Sequence, residues 1–374
     1  MSPKERVKAA MDLKKPDKVP LMCQFSLGHM LMQLNISPIN LWFDKVAFTK
    51  SLIELRELYE FDGILVSLHG HSPNWQESIV SIEDIRNQKQ VELTSGDKII
   101  FPNNDLPYYE YKNELTKLNI SEINLADLPQ ILDYIPVSSN LHFQINQNHK
   151  FDAITDIINS VGSQFSIHGE ITSPFDYFLD LLGYQDGLMA LMMEPEKCEL
   201  ILWHFTKLIT KLSLEMCETG VDAIKISSPF AGAGFISPND YKKFVLPFES
   251  QIALAVRQKG IHIYTHTCGA IGDRLETMFN SGISGIECLD PPPLGNVLLK
   301  NAKERIGKMG FIKGNIDSVN TLLNGSDDDI VRDVNNIINI GTRDGGFILS
   351  TACSIAPAVK REKIQLLRKI INNI

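Results

Sequence analysis

The chain has 374 residues, of which 44% are hydrophobic and 22% charged, and its formal net charge is −9. That length admits one large domain or two ordinary ones with a sizeable core, and the acidic balance, with no dense Lys/Arg cluster, argues against nucleic acid and anionic membrane surfaces as partners. Met1 to Pro20 lacks the apolar centre of a signal peptide, no run approaches the roughly 20 apolar residues of a spanning helix, and six scattered cysteines form no CxxC pair, so a cytoplasmic chain with free or metal-binding thiols is expected.

Pro3 to Leu13 has helical spacing, and Lys18 to Cys23 reads as a first short strand. Ala47 to Tyr59 is predicted helical and leads into a second strand, Gly63 to Leu68. Val91 to Phe101, two alternating runs around Gly96-Asp97, predicts a β-hairpin inserted near residues 90–102. A helix over Ala153 to Val161 precedes a third strand, Gln164 to Glu170, and a long helical region follows from Pro174 to Gly220 with a break at Glu194-Pro195. Five further strands are expected at Val221–Ser227, Ile261–Thr267, Ser284–Leu289, Lys308–Lys313 and Gly346–Thr351. Helical segments separate them at Pro238–Lys259, Ile271–Ser281, Gly295–Lys303 and Asp327–Ile340, and Arg361–Ile374 closes the chain. Short apolar strands each followed by helical sequence predict an α/β fold of the (β/α)8 TIM-barrel type. A doubly wound open sheet is the structural runner-up, but no GxGxxG follows the first strand and no Walker A sequence is present.

Barrel enzymes work at the C-terminal ends of their strands, so polar residues there gain weight. Residues two apart in a strand share a side, so His266 and Cys268 in Tyr264-Thr-His-Thr-Cys-Gly269 project together as half a zinc site. Cys353, at the end of the last strand, is the cysteine placed to complete it. One imidazole and two thiolates leave the fourth tetrahedral position open, as a catalytic zinc requires. Other strand ends present His69 and His71, His168 and Glu170, Ser227 and Ser228, Glu287 and Asp290, and Asn315 and Asp317. Glu287 is the candidate fourth, displaceable ligand. His69, Glu170, Asn315 and Asp290 are candidate substrate-binding residues, with a structural histidine, a general base, a resting-state zinc ligand or helix caps as their alternatives. His168 reads as structural, and Cys23, Cys198, Cys217 and Cys288 read as core, the usual fate of a lone cysteine.

From Gly220 onward the sequence resembles the uroporphyrinogen decarboxylase superfamily, in particular its zinc-dependent, corrinoid-linked methyltransferase branch. The resemblance lies in Gly220-Val-Asp-Ala223, Thr265-His-Thr-Cys-Gly269, Gly314-Asn315 with Asp317, Leu322-Leu-Asn-Gly325 and Ala352-Cys-Ser-Ile-Ala-Pro357, with Arg6-Val and Asp17-Lys-Val-Pro20 fitting the start. It implies one TIM-barrel domain over 1–374, with zinc held by His266, Cys268 and Cys353. It also implies methyl transfer between a corrinoid and a thiol or other small molecule, in either direction and without a protein nucleophile. The corrinoid would be methylcobalamin or protein-bound, because the chain has no DxHxxG sequence. Candidate partners are a small thiol or methylated substrate, a separate corrinoid protein and a second copy of the chain as a homodimer. A tetrapyrrole decarboxylase is the first alternative, but Cys23 to His29 lacks the arginine of that branch and Ser67 to His71 its aspartate. A non-catalytic corrinoid- or metal-binding module is the second.

Overall fold

A computed structural model describes residues 1–113, 118–138 and 141–374. Its strands in chain order are β1 (Gly63–Val66), β2 (Ile79–Ile85), β3 (Gln88–Leu93), β4 (Lys98–Phe101), β5 (Tyr108–Glu110), β6 (Tyr134–Ser138), β7 (Leu141–Gln144), β8 (Ser166–Thr172), β9 (Ala223–Ser227), β10 (His262–Thr267), β11 (Gly285–Cys288), β12 (Phe311–Ile316) and β13 (Phe347–Thr351). β1 and β8 to β13 form one curled parallel sheet in the order β1-β8-β9-β10-β11-β12-β13. Every residue of β1, β11, β12 and β13 is buried, which is why these segments read as near-continuous apolar runs.

The first strand, expected at Lys18 to Cys23, is reduced to an isolated bridge, Leu21 to Leu349, yet it still fills the gap between β13 and β1. Met22 N–H donates to Leu349 O at 3.0 Å, Leu349 N–H to Pro20 O at 2.9 Å and Asp62 N–H to Leu21 O at 2.8 Å. Pro20 has no N–H to give, and the Leu21 N–H goes to the Asp62 carboxylate at 2.8 Å, so no longer ladder can form. The helix Pro3–Met11, started by a Ser2/Glu5 capping box, closes the barrel's N-terminal end by packing Val7, Ala10 and Met11 against Met22, Leu65, Tyr264 and Phe311.

The expected helices are present with two extra breaks, and two short helices, Leu27–Gln33 and Pro38–Phe43, lie where none is expected. Gly183, at φ 81°, separates Pro174–Leu182 from Tyr184–Met193, and Val245 separates Pro238–Phe244 from Leu246–Gln258. The expected hairpin is β3 and β4, but it belongs to a larger insertion. Antiparallel β2-β3-β4-β5 form one sheet and β6-β7 a second. Val91, Ile99, Phe101, Leu141 and Phe143 pin this insertion to Ile39, Trp42 and Phe43 of the helix Pro38–Phe43. Among the described residues no helix is long and apolar enough to cross a membrane.

Candidate metal centre

β10 delivers His266 at its C-terminal end, and the chain runs on through Cys268 to Gly269, whose φ of 74° turns it away. The turn is held by the Gly269 N–H, which donates to Asp290 at 2.7 Å. Cys353 lies two residues beyond β13. The donor atoms of His266, Cys268 and Cys353 all lie within 4.8 Å of one another, with His266 Nε2 3.3 Å from Cys268 Sγ. Ligands of a tetrahedral zinc at ~2.0–2.3 Å stand about 3.5–3.8 Å apart, so the soft donor set and its spacing both fit that ion.

The opposite nitrogen of His266, Nδ1, is 3.0 Å from Glu287 Oε2. Glu287 therefore stands behind the imidazole and is not among the clustered donors, unlike the fourth-ligand expectation. Its other oxygen accepts from Lys313, and Lys225 Nζ lies 3.6 Å from Oε2. Burial by itself would push the Glu287 carboxyl up, but Lys313, Lys225 and His266 outweigh it and hold the group well below the usual carboxylate range. Burial likewise disfavours the His266 imidazolium, but hydrogen bonds to Cys268, Cys353 and Glu287 prevail and raise its pKa well above the ordinary value. The hydrogen bond from Cys268, with burial, pushes the Cys353 thiol up to about 12. A metal entering this site must displace protons.

Beside the triad lies a cavity of about 380 Å³, bounded by Ser354 next to Cys353, by Ser227 opposite His266 in register, and by Phe25, Phe48 and Phe143. Glu170 lines it, accepting from Ser67 and from Lys225 Nζ at 2.6 Å. Lys225 Nζ also donates to Gln24 Oε1 at 2.8 Å. The other expected substrate contacts do not line this cavity. His69 is buried with its ring stacked 4.7 Å from that of Phe48, and it does not line the cavity. Asn315 Nδ2 donates to Leu289 O at 3.1 Å, and Asp290 serves the Gly269 turn. His168 is satisfied on both nitrogens, by Tyr264 OH at 3.0 Å and Ser166 Oγ at 3.1 Å.

Cys288 is buried, as its reading as a core cysteine expects, and with Cys268 and Asp290 it also forms a second group of donors within 4.8 Å. Two residues here escape the sequence reading. Lys225 and Lys313 were unremarked, although a lysine inside a strand buried on both faces must have a buried partner, and that signal was available in Ala223-Ile-Lys-Ile-Ser227 and Phe311-Ile-Lys-Gly314.

Residues 126–374 match the family described as uroporphyrinogen decarboxylase (URO-D). The chain is similar to the methylcobamide:CoM methyltransferase MtbA of Methanosarcina acetivorans, 25% identical over 59% of this chain and 62% of that protein. It is 22% identical to the enzyme of the same name from Methanosarcina mazei over 100% of this chain and 98% of the relative. A uroporphyrinogen decarboxylase of Chlorobium phaeobacteroides is 27% identical over 68% of this chain and 69% of its own length. Among solved structures, a methyltransferase from Methanosarcina mazei superposes with a TM-score of 0.71 at 20% identity, covering 100% of this chain and 99% of the other, and so shares the fold.

Proposed function

Since this chain belongs to the uroporphyrinogen decarboxylase family, we propose that it is a zinc-dependent methyltransferase moving a methyl group between a corrinoid and a small thiol or other small acceptor or donor. The whole chain would act as one catalytic domain. The observation that carries this reading is the convergence of His266, Cys268 and Cys353 beside a cavity of substrate size. Zinc there would act as a Lewis acid, keeping a thiol substrate deprotonated near neutral pH or, in the reverse direction, activating the heteroatom that loses the methyl group. His266 would ligate through Nε2 while its Nδ1–H donates to Glu287, which fixes the tautomer. Lys313 and Lys225 keep Glu287 ionised for that task. The cavity walls hold the small substrate against the triad and shed water from it. In the thiol-methylating direction the methyl group would pass from a methyl–cobalt(III) corrinoid to the thiolate sulfur, the electron pair of the carbon–cobalt bond would stay on cobalt(I) and the thiol's proton would go to solvent; the reverse direction would take that proton up. The corrinoid would be free or carried by a separate protein.

The test is metal content by plasma mass spectrometry on wild type, Cys268→Ser and Cys353→Ser. About one zinc per chain in the wild type, lost in both variants, is the expected result. A wild type that takes up no zinc when supplied with it would overturn the mechanism and favour the tetrapyrrole decarboxylase.

A further inference from the structure

The charge on the walls of the cavity beside the triad limits which small molecule can enter. Among the described residues no lysine, arginine or histidine lines it, while two carboxylates, Asp105 and Glu170, do. Lys225 stands behind Glu170 and is only 1% exposed. Its ammonium pairs with Glu170 at 2.6 Å and donates to Gln24 at 2.8 Å, with Glu287 farther off at 3.6 Å, and it does not line the cavity. Lys313 is fully buried and spent on Glu287. Two lysines and two glutamates thus cancel in a closed set. A sulfonate or carboxylate on the substrate would leave water for a cavity with no cation to receive it and with Glu170 facing it, the arrangement in which a buried charge is most costly.

A cation is no better served. Glu170 already accepts from Lys225 and Ser67, and Asp105 is exposed and solvated, so neither is a buried carboxylate in need of a counter-charge. The rest of the wall is mixed: hydrocarbon from Phe25, Met30, Phe48, Leu65, Leu68 and Phe143 alternates with neutral polar groups, the Gln24 amide and hydroxyls such as Ser227 and Thr172. Resting on the methyltransferase reading above, we infer that the small partner in the reaction is an uncharged thiol, or its S-methyl form. It is not an acid such as 2-mercaptoethanesulfonate.

Calorimetric titration of the full chain loaded with zinc compares three thiols of similar length: 1-propanethiol, 2-mercaptoethanesulfonate and cysteamine. The uncharged thiol should bind at least about ten-fold more tightly than either charged one. Equal or tighter binding of the sulfonate or of the ammonium overturns the inference, as does binding of none of the three. The same titration on metal-free protein with methyl propyl sulfide and 2-(methylthio)ethanesulfonate separates the two readings. A chain that takes up no zinc but still prefers the uncharged sulfide refutes the zinc mechanism and upholds the substrate class. A chain that carries zinc but prefers the sulfonate does the reverse.

Discussion

Glu287 is in contact with His266, Lys313 and Lys225, and the pairing of strands explains how. In the parallel register His266 lies opposite Glu287, Glu287 opposite Lys313, and Glu170 opposite Lys225. The buried charges are therefore direct cross-strand neighbours, each satisfied by the residue beside it. This determines what was legible at this scale. His266 and Cys268 could be read because their relation is local, two residues apart on one strand. The role of Glu287 could not, because it depends on a register that no single strand encodes. Replacing it by glutamine keeps its shape but removes the charge that orients the imidazole. Glu287→Gln should weaken zinc binding by about 10–100-fold, measured by competition with a chromophoric chelator. Unchanged affinity would mean that the carboxylate serves only the two lysines.

At the scale of elements, the insertion between β1 and β8 provides more than an interruption. Leu106, Ile135, Val137 and Phe143, from β6, β7 and the loop after β4, line the cavity opposite the strand ends. The barrel supplies the clustered histidine and cysteines and the insertion supplies the roof. Only β3 and β4 of this region are legible, because two short runs with apolar residues flank Gly96-Asp97 and bury Val91, Ile99, Ile100 and Phe101. β2 defeats the same reading, since its apolar residues Val80, Ile82 and Ile85 are exposed and no buried face marks its period. The separate core of the insertion predicts separable stability. Phe101→Ala should cost about 3–5 kcal/mol, seen as faster hydrogen exchange over residues 79–110, with zinc content and barrel protection preserved. If exchange rises equally through β8 to β13, roof and barrel unfold as one unit.

For the molecule as a whole, stability against pH is set by two groups of buried residues that pull in opposite directions. Burial lowers the pKa of His29 and His69 to about 4 and that of His168 to about 3, against 6.5 in an unfolded chain. The unfolded state takes up these protons first, so stability falls as pH drops from 6.5 toward those values, by about 2 kcal/mol per histidine at pH 5. Asp176 and Glu249 behave in the opposite sense. They sit on the helices Pro174–Leu182 and Leu246–Gln258, and burial pushes Asp176 up from 3.8 to about 8, with Glu249 and Asp180 adding and Ser173 opposing. Burial raises Glu249 from 4.5 to about 7, opposed by Ser228. Here the unfolded state releases its proton first, so stability falls as pH rises from about 4 to 8. Between pH 5 and 8 the histidines regain stability, His71 among them because burial also holds it well below the ordinary value, while the two carboxylates lose about 3 kcal/mol each, so the two groups oppose one another across that range. The sequence shows Ser173-Pro-Phe-Asp176 only as the start of a helix, and the tertiary burial of its carboxyl, with the charge of Glu249 adding, is what reveals a buried acid. Asp176→Asn keeps the shape, cannot ionise and leaves the histidines unopposed by one carboxylate. Its stability relative to wild type, from denaturant unfolding, should grow by about 3 kcal/mol between pH 5 and pH 8. A difference that stays flat over that range would show that Asp176 is already ionised in the folded protein, and that the acid-labile histidines act without a counterweight there.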